Sequence, residues 1–255
     1  MYSESEARSL VIKAGLELIE KKLIARTYGN ISARISEDQY IITPSGMAYE
    51  TLTEDKLVKV NISDCSYEGD IKPSSEKGIH AVCYKLRPDA NFVIHTHQFY
   101  ASAVCAEEES TDFAPCALYG LSGTKKLTGN VEKCIRDYPD KCTFLMAKHG
   151  ALCIGTSYDD AFALADQLEE YCRNLFEEKA SDKGKSSLPW LDDYAQMFSS
   201  RGLPGKNEDE DAVKLVRAKN EAASRYVSKA KPVPPLRARF EHLVYTLKYS
   251  KLKDK

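Results

Sequence analysis

The sequence predicts an α/β fold built as a layered sandwich, on three observations. Hydrophobic segments of period 2 and period 3.6 are mixed along the chain rather than strictly alternating, which favours packed layers over a doubly wound sheet or a barrel. A length of 255 residues suits one large α/β domain or one domain with an appended tail. No internal repeat points to a solenoid.

Ser3-Glu4-Ser5-Glu6 has the form of a capping box. Ile12, Leu16, Ile19 and Leu23 then recur at helical spacing, so residues 5–24 are expected to form an amphipathic helix. Thr27-Tyr28-Gly29-Asn30 is a turn. It leads into an alternating run over 31–34, with 40–42 as its partner strand, ending at the breaker Thr43-Pro44-Ser45-Gly46. Residues 57–62 read as a further strand. Pro73-Ser74-Ser75 precedes a helix that carries Ile79, Val82, Cys83 and Leu86 and stops before Pro88. An apolar strand over 92–94 runs into His95-Thr96-His97, and a helix over 99–106 follows. Two strands, 143–146 and 151–154, flank Lys148-His149-Gly150. Ser157-Tyr158-Asp159-Asp160 caps a long helix with Ala161, Leu164, Ala165, Leu168 and Leu175 facing inward. Past about residue 180 the composition changes. Gly202-Leu203-Pro204-Gly205 and the acidic run that follows read as a loop, and Lys231-Pro232-Val233-Pro234-Pro235 as a stiff spacer. Phe240, Leu243, Val244 and Leu247 then form a short helical stripe.

Bulk properties remove several function classes. A formal net charge of −2 offers no basic footprint for nucleic acid or an anionic membrane surface. No apolar run approaches the roughly 20 residues that span a bilayer. The N-terminal MYSESEARSL has neither the basic nor the apolar region of a secretory signal, which predicts a cytoplasmic chain. The eight cysteines include no CxxC pair and sit mostly in apolar surroundings, as small buried hydrophobes in a reducing compartment do.

Chemistry concentrates in a few residues. Histidine occurs five times, and two of these stand at i and i+2 in Val93-Ile94-His95-Thr96-His97. On a strand such residues point to one face, so two imidazoles can reach one divalent cation. His149, at a sharp break between two apolar strands, could supply a third imidazole. Three histidines leave a coordination position open, the pattern of a catalytic rather than a structural metal site. Taken singly, His95 and His97 also read as satisfied polar side chains, and His149 as a turn residue. Glu76, at a helix N-terminus, reads either as a cap that favours the helix dipole or as a carboxylate beside a metal, poised for proton transfer. His80 lies four residues on, over the same helix face, and reads as a buried group behind the site, with a ligand role as the other option. Three segments, 27–30, 43–46 and 74–75, offer hydroxyls, Gly-relieved N–H groups and a helix start that could together hold a phosphate, although turns use the same residues for local reasons. No Walker A or GxGxxG pattern occurs.

The ordered set TYGNISAR, ITPSGMAYETL, KPSSEKGIH, RPDANFVIHTH and KHGALCIG resembles the class II aldolase/adducin family over roughly residues 5–180. The resemblance implies a three-layer α/β/α sandwich on a central, mainly antiparallel sheet. It also implies a homotetramer with active sites between subunits. By position, His95, His97 and His149 match the family's metal ligands, for about one Zn2+ per chain, with Mn2+ or Co2+ as substitutes. Glu76 matches its acid/base carboxylate. Asn30, Ser45, Gly46, Ser74 and Ser75 match its phosphate-binding positions, with Gly29 in the same turn. Tyr119, in Pro115-Cys116-Ala117-Leu118-Tyr119-Gly120, resembles a tyrosine that serves the site across the subunit boundary. The expected partner is a small sugar phosphate, and no nucleic acid or membrane. The expected reaction cleaves a ketose 1-phosphate, of the L-fuculose 1-phosphate kind, to dihydroxyacetone phosphate and a small aldehyde.

Other readings stay open. Family members that are pentulose-phosphate 4-epimerases generally carry Asp where this chain has Glu76. Others act on methylthio- or deoxypentulose phosphates, and adducin-like modules bind without catalysis. Residues 1–200 are taken as the catalytic domain. Residues 201–255 are taken as an extension packed on that domain or on a neighbouring subunit. In the family's aldolases this region supplies a mobile aromatic cover. Residues beyond about 200 depart from the family's pattern, and none of Tyr226, Tyr245 and Tyr249 is placed as its counterpart, which leaves substrate specificity open.

Overall fold

The computed structural model describes residues 1–24, 27–106 and 108–182. The expectations for residues 201–255, including Tyr226, Tyr245 and Tyr249, lie outside the described residues. Seven strands form one sheet: β1 (Asn30–Arg34), β2 (Gln39–Ile42), β3 (Val58–Asn61), β4 (Phe92–Thr96), β5 (Cys116–Ala117), β6 (Thr143–Met146) and β7 (Gly150–Gly155). Their spatial order is β3-β2-β1-β4-β7-β6-β5. Every pairing is antiparallel except β5 with β6. The helices are α1 (Glu4–Glu20), α2 (Lys77–Leu86), α3 (Phe99–Ala106), α4 (Lys125–Asp137) and α5 (Tyr158–Asp182).

Strand alternation divides the apolar side chains between two cores. Ile31, Ala33, Ile41, Phe92, Ile94 and Cys153 pack under α1, α3 and α5. Tyr40, Ile42, Val93, Phe144, Leu152 and Ile154 face the other way, onto the α2 and α4 side chains. Helices therefore cover both faces of a mainly antiparallel sheet, and the architecture is the expected three-layer α/β/α sandwich.

Local details differ from the sequence reading in identifiable ways. The first helix ends at Glu20, because Lys22 takes the left-handed conformation (φ 59°) and turns Leu23 back, where its N–H bonds Leu18 O at 2.9 Å. α4 was not anticipated. Its signal is Leu127, Val131, Cys134 and Ile135 on one buried face, with Thr124 accepting from the Leu127 N–H as N-cap. β5 is two residues long, too short to show a period. All eight cysteines are free thiols, and Cys83, Cys105, Cys134, Cys153 and Cys172 are buried. No helix among the described residues is long and apolar enough to cross a membrane.

Candidate active site

The site forms where the two central strands end. On β4, Val93 faces the α2 side, and period 2 places His95 on that same face. His95 pairs in register with Asn30 on β1 and Leu152 on β7, and only 1% of it is exposed. Its Nδ1 lies 2.8 Å from Ala151 O. A carbonyl can only accept, so Nδ1 carries the proton and Nε2 keeps its lone pair for the site, the arrangement metal-binding imidazoles need. His97 follows at the strand end. The chain there is anchored by Gln98, which accepts from Thr96 and donates to Ala165 O, and by the Glu169 carboxylate of α5, which takes the Tyr100 and Ala101 N–H groups at the start of α3.

His149 is held by a tight turn between β6 and β7. Its N–H bonds Met146 O at 2.9 Å, and Lys148 sits in the left-handed region (φ 56°) with its own N–H on Cys105 O. The Lys148 ammonium pairs with Glu108. The three imidazoles converge: His95 and His149 approach to 3.1 Å between their Nε2 atoms, and nitrogens of all three lie within 4.8 Å of one another. Ligands at about 2.0–2.1 Å from one zinc ion stand roughly 3.3 Å apart. The closest pair fits that spacing, and a small movement of the more accessible His97 brings in the third.

Glu76 enters from the other side. It is the N-cap residue of α2, but its side chain makes no capping bond. The carboxylate reaches into the triad instead, with Oε1 at 3.0 Å from His149 Nε2 and Oε2 at 3.2 Å from His95 Nε2. Asn30 Nδ2 donates to Oε2 and Ser122 Oγ to Oε1, both at 2.9 Å. Burial alone would push the Glu76 carboxyl up. Positive charge on that side, from His149 and His95 or from a cation that they hold, outweighs burial and holds it well below the usual carboxylate range.

The three segments expected to hold a phosphate come together around this group. Thr43 N–H bonds Ile31 O, Ser74 N–H bonds Thr43 O, and Pro44 bridges Pro73. Ser45, Gly46 and Ser75 are exposed, with Gly46 at φ 73°. Ser74 is buried, and its Oγ accepts from the Glu76 N–H. Asn30 is engaged at both ends of its amide, with Glu76 and with His80. Tyr119, half-buried just past the edge strand β5, has its carbonyl bonded by Asn130, and burial pushes its phenol up. The same loop returns Ser122 to Glu76 and sets Gly123 against Ser75. Ser122 was not singled out from sequence; a serine in the turn ahead of a helix has many local uses.

Two glycines flank the end of β4. A Cβ at Gly29 (φ 75°) would stand 2.5 Å from His95 O, and one at Gly150 would stand 2.3 Å from Thr96 O and 3.2 Å from His95 Cε1. Backbone cannot yield at such distances, so Gly150→Ala is expected to destabilise the fold by roughly 1–3 kcal/mol and to weaken metal uptake. Gly129→Ala is the control. It lies on α4 with open space around it, and should stabilise by roughly 0.5–1 kcal/mol. Denaturant midpoints and metal content of the two variants decide this, and equal midpoints would refute the steric argument.

A model of the class II aldolase and adducin N-terminal domain matches residues 9–176. The 5-methylthioribulose-1-phosphate/5-deoxyribulose-1-phosphate aldolase of Escherichia coli O45:K1 is 36% identical over 171 residues, covering 62% of this chain and 78% of the relative. The L-fuculose phosphate aldolase of Escherichia coli K12 is 33% identical over 171 residues, covering 62% and 77%. A solved L-fuculose 1-phosphate aldolase superposes with a TM-score of 0.64 at 29% identity, over 78% of this chain and 98% of that one. The five motifs, the sandwich and the family match agree, and the chain belongs to the class II aldolase and adducin family.

Proposed function

We propose that this chain is a metal-dependent aldolase that cleaves a ketose 1-phosphate to dihydroxyacetone phosphate and a small aldehyde. The observation that carries the reading is the Glu76 carboxylate set between two of three convergent imidazoles, beside three segments suited to a phosphate. The relatives are named as lyases of sugar phosphates, which supports the same class here. Held by His95, His97 and His149, a divalent cation such as Zn2+ would supply Lewis-acid stabilisation of the negative charge that carbon–carbon cleavage leaves on the substrate.

The chain's own residues do the rest. Ser45, Gly46, Ser74 and Ser75, with the Gly29–Asn30 turn, anchor the phosphate end, so that binding energy places the reacting carbons. Tyr119 accepts the proton of the hydroxyl that becomes the aldehyde. Glu76 delivers a proton to the carbon released by cleavage, and in synthesis the two roles reverse. The resting states fit synthesis: the carboxylate, held ionised and oriented by Asn30 and Ser122, takes the carbon-bound proton while the protonated Tyr119 phenol gives its own. Cleavage starts from the protonated carboxyl and the phenolate, and the proton Tyr119 gains returns through solvent to Glu76 before the next turnover. Lysine Schiff-base chemistry is not needed, and Lys148, beside His149, is a surface charge that pairs with Glu108.

Product analysis of the metal-loaded protein tests the reading, against fuculose, rhamnulose, ribulose and methylthioribulose 1-phosphates. Release of dihydroxyacetone phosphate from one of them is expected. The 36% identical relative makes the methylthio- and deoxypentulose phosphates strong members of the panel. Epimerised pentulose phosphate in place of cleavage would move the chain to the 4-epimerase reading.

Assembly belongs to the same proposal. We take the working form as a cytoplasmic homotetramer in which Tyr119 acts in a neighbour's site, with residues 201–255 packed on the catalytic domain or a neighbouring subunit. Mixing inactive Glu76→Gln chains with inactive Tyr119→Phe chains under subunit exchange should then restore activity, with about a quarter of the sites whole in a random mixture. Mixed rings that stay at the parental level would show that Tyr119 serves its own chain or does no chemistry.

A further inference from the structure

Behind the Glu76 carboxylate runs a line of buried polar groups that the proposed reaction does not itself use. His80 is fully buried, its Nε2 lies 2.5 Å from Asn30 Oδ1, and its Nδ1 lies 2.6 Å from Ser32 Oγ. Ser32 Oγ lies 2.7 Å from the Tyr84 hydroxyl. The spacing follows from two elementary repeats. Asn30 and Ser32 are two apart on β1, a step of about 6.7 Å on one face. Glu76, His80 and Tyr84 are four apart along α2, a step of about 6 Å. Near-equal steps let the strand residues fit between the helix residues, giving the order Glu76, Asn30, His80, Ser32, Tyr84.

The carboxylate fixes the direction of every bond in this line. Asn30 presents its NH2 to Glu76 Oε2 at 2.9 Å, and its Oδ1 therefore faces His80. An oxygen facing His80 Nε2 requires a proton there. Burial drives the His80 imidazolium pKa down to about 3, so the ring is neutral and its Nδ1 is bare. Ser32 must then donate its single proton to Nδ1, and the Tyr84 hydroxyl donates to Ser32. Burial also raises the Tyr84 phenol, which stays protonated. Reversing any one bond would set two lone pairs or two protons against each other inside the core.

We propose that Ser32, His80 and Tyr84 are positioning residues that lock the Asn30 amide in the one orientation that donates to Glu76. The proposal rests on the reading of Glu76 as the proton-exchanging carboxylate. Without the His80 Nε2–H, the buried Asn30 Oδ1 loses its donor and the amide is no longer held against Glu76, which would disorder the carboxylate without touching metal or phosphate.

The experiment uses full-length, metal-loaded protein and has two arms. In the first, 15N-labelled imidazoles report the His80 tautomer, assigned by the signal lost in His80→Gln. Wild type should show protonated Nε2 and bare Nδ1 throughout the neutral range. In the second, exchange of the dihydroxyacetone phosphate carbon-bound proton with D2O is followed, a half-reaction that needs no aldehyde. His80→Leu should lower its kcat roughly 10–100-fold with KM and metal content kept, as loss of supporting partners does. His80→Gln, whose amide can donate in place of Nε2–H, should recover most of that rate. A protonated Nδ1 in wild type would overturn the proposal. So would a folded, metal-loaded His80→Gln that falls as far as His80→Leu, or a His80→Leu at wild-type rate. If wild type exchanges nothing, the aldolase reading fails, while the tautomer arm still decides the polarity of the line.

Discussion

Replacing His95 with alanine is expected to remove bound metal and activity together. His95 is held on three sides: its backbone in the centre of the sheet, its Nδ1 on Ala151 O, and its Nε2 within 3.2 Å of both His149 and Glu76. Alanine removes the central donor of a three-ligand set, and such a set has no spare. Lewis-acid stabilisation is worth several kcal/mol, so turnover should fall by roughly 1000-fold or more. His97→Ala and His149→Ala should act the same way. Metal per chain, measured beside circular dichroism and a melting curve, separates loss of the ion from loss of the fold. Full occupancy in a His95/His97/His149 triple variant would end the assignment.

The legible part of this site was the part that two periodicities determine. His95 and His97 share a strand face because side chains alternate, and that rule needs no tertiary information. The convergence of the 27–30, 43–46 and 73–76 segments was legible as composition, since each carries hydroxyls or glycine beside a breaker. Their contact depends on the pairing of β1 with both β2 and β4, which local sequence does not state. Glu76, standing where caps stand, reads from local sequence either as a cap or as a carboxylate beside a metal. Only the fold shows its carboxylate turned away from the helix and into the imidazoles. Ser122, Ser32 and Tyr84 were invisible for a related reason. Ser122 acts through a loop that returns from an edge strand, and Ser32 and Tyr84 through a strand–helix contact between positions 52 residues apart. α4 carried a readable helical stripe, but its charged residues and Gly129 diluted it.

Glu76→Gln is the variant with the next largest expected effect. It preserves shape and hydrogen-bonding capacity but cannot exchange a proton. Turnover should fall roughly 100-fold or more, the usual worth of a general acid–base group. The loss should appear in kcat, because the phosphate segments remain and substrate still docks. Stability should change little, since the Glu76 side chain makes no capping bond to α2. The amide brings one further consequence. Of its two ends, one must now donate where a carboxylate oxygen had accepted, either towards Asn30 Nδ2 or towards Ser122 Oγ. Ser122 can rotate its hydroxyl to accept, whereas the Asn30 NH2 cannot, so the variant should settle with its NH2 on the Ser122 side. There Ser122 Oγ accepts from it, and the His149 Nε2 lone pair stays with the metal site. Metal content should therefore hold or fall only slightly, and the defect should be chemical. Glu76→Asp separates charge from reach: it keeps the proton-exchanging group but shortens it, and should fall between wild type and Glu76→Gln. Wild-type turnover in Glu76→Gln would reduce Glu76 to a structural partner of the histidines. A Glu76→Gln chain that loses its metal as completely as His95→Ala would instead make the carboxylate part of the metal-holding set.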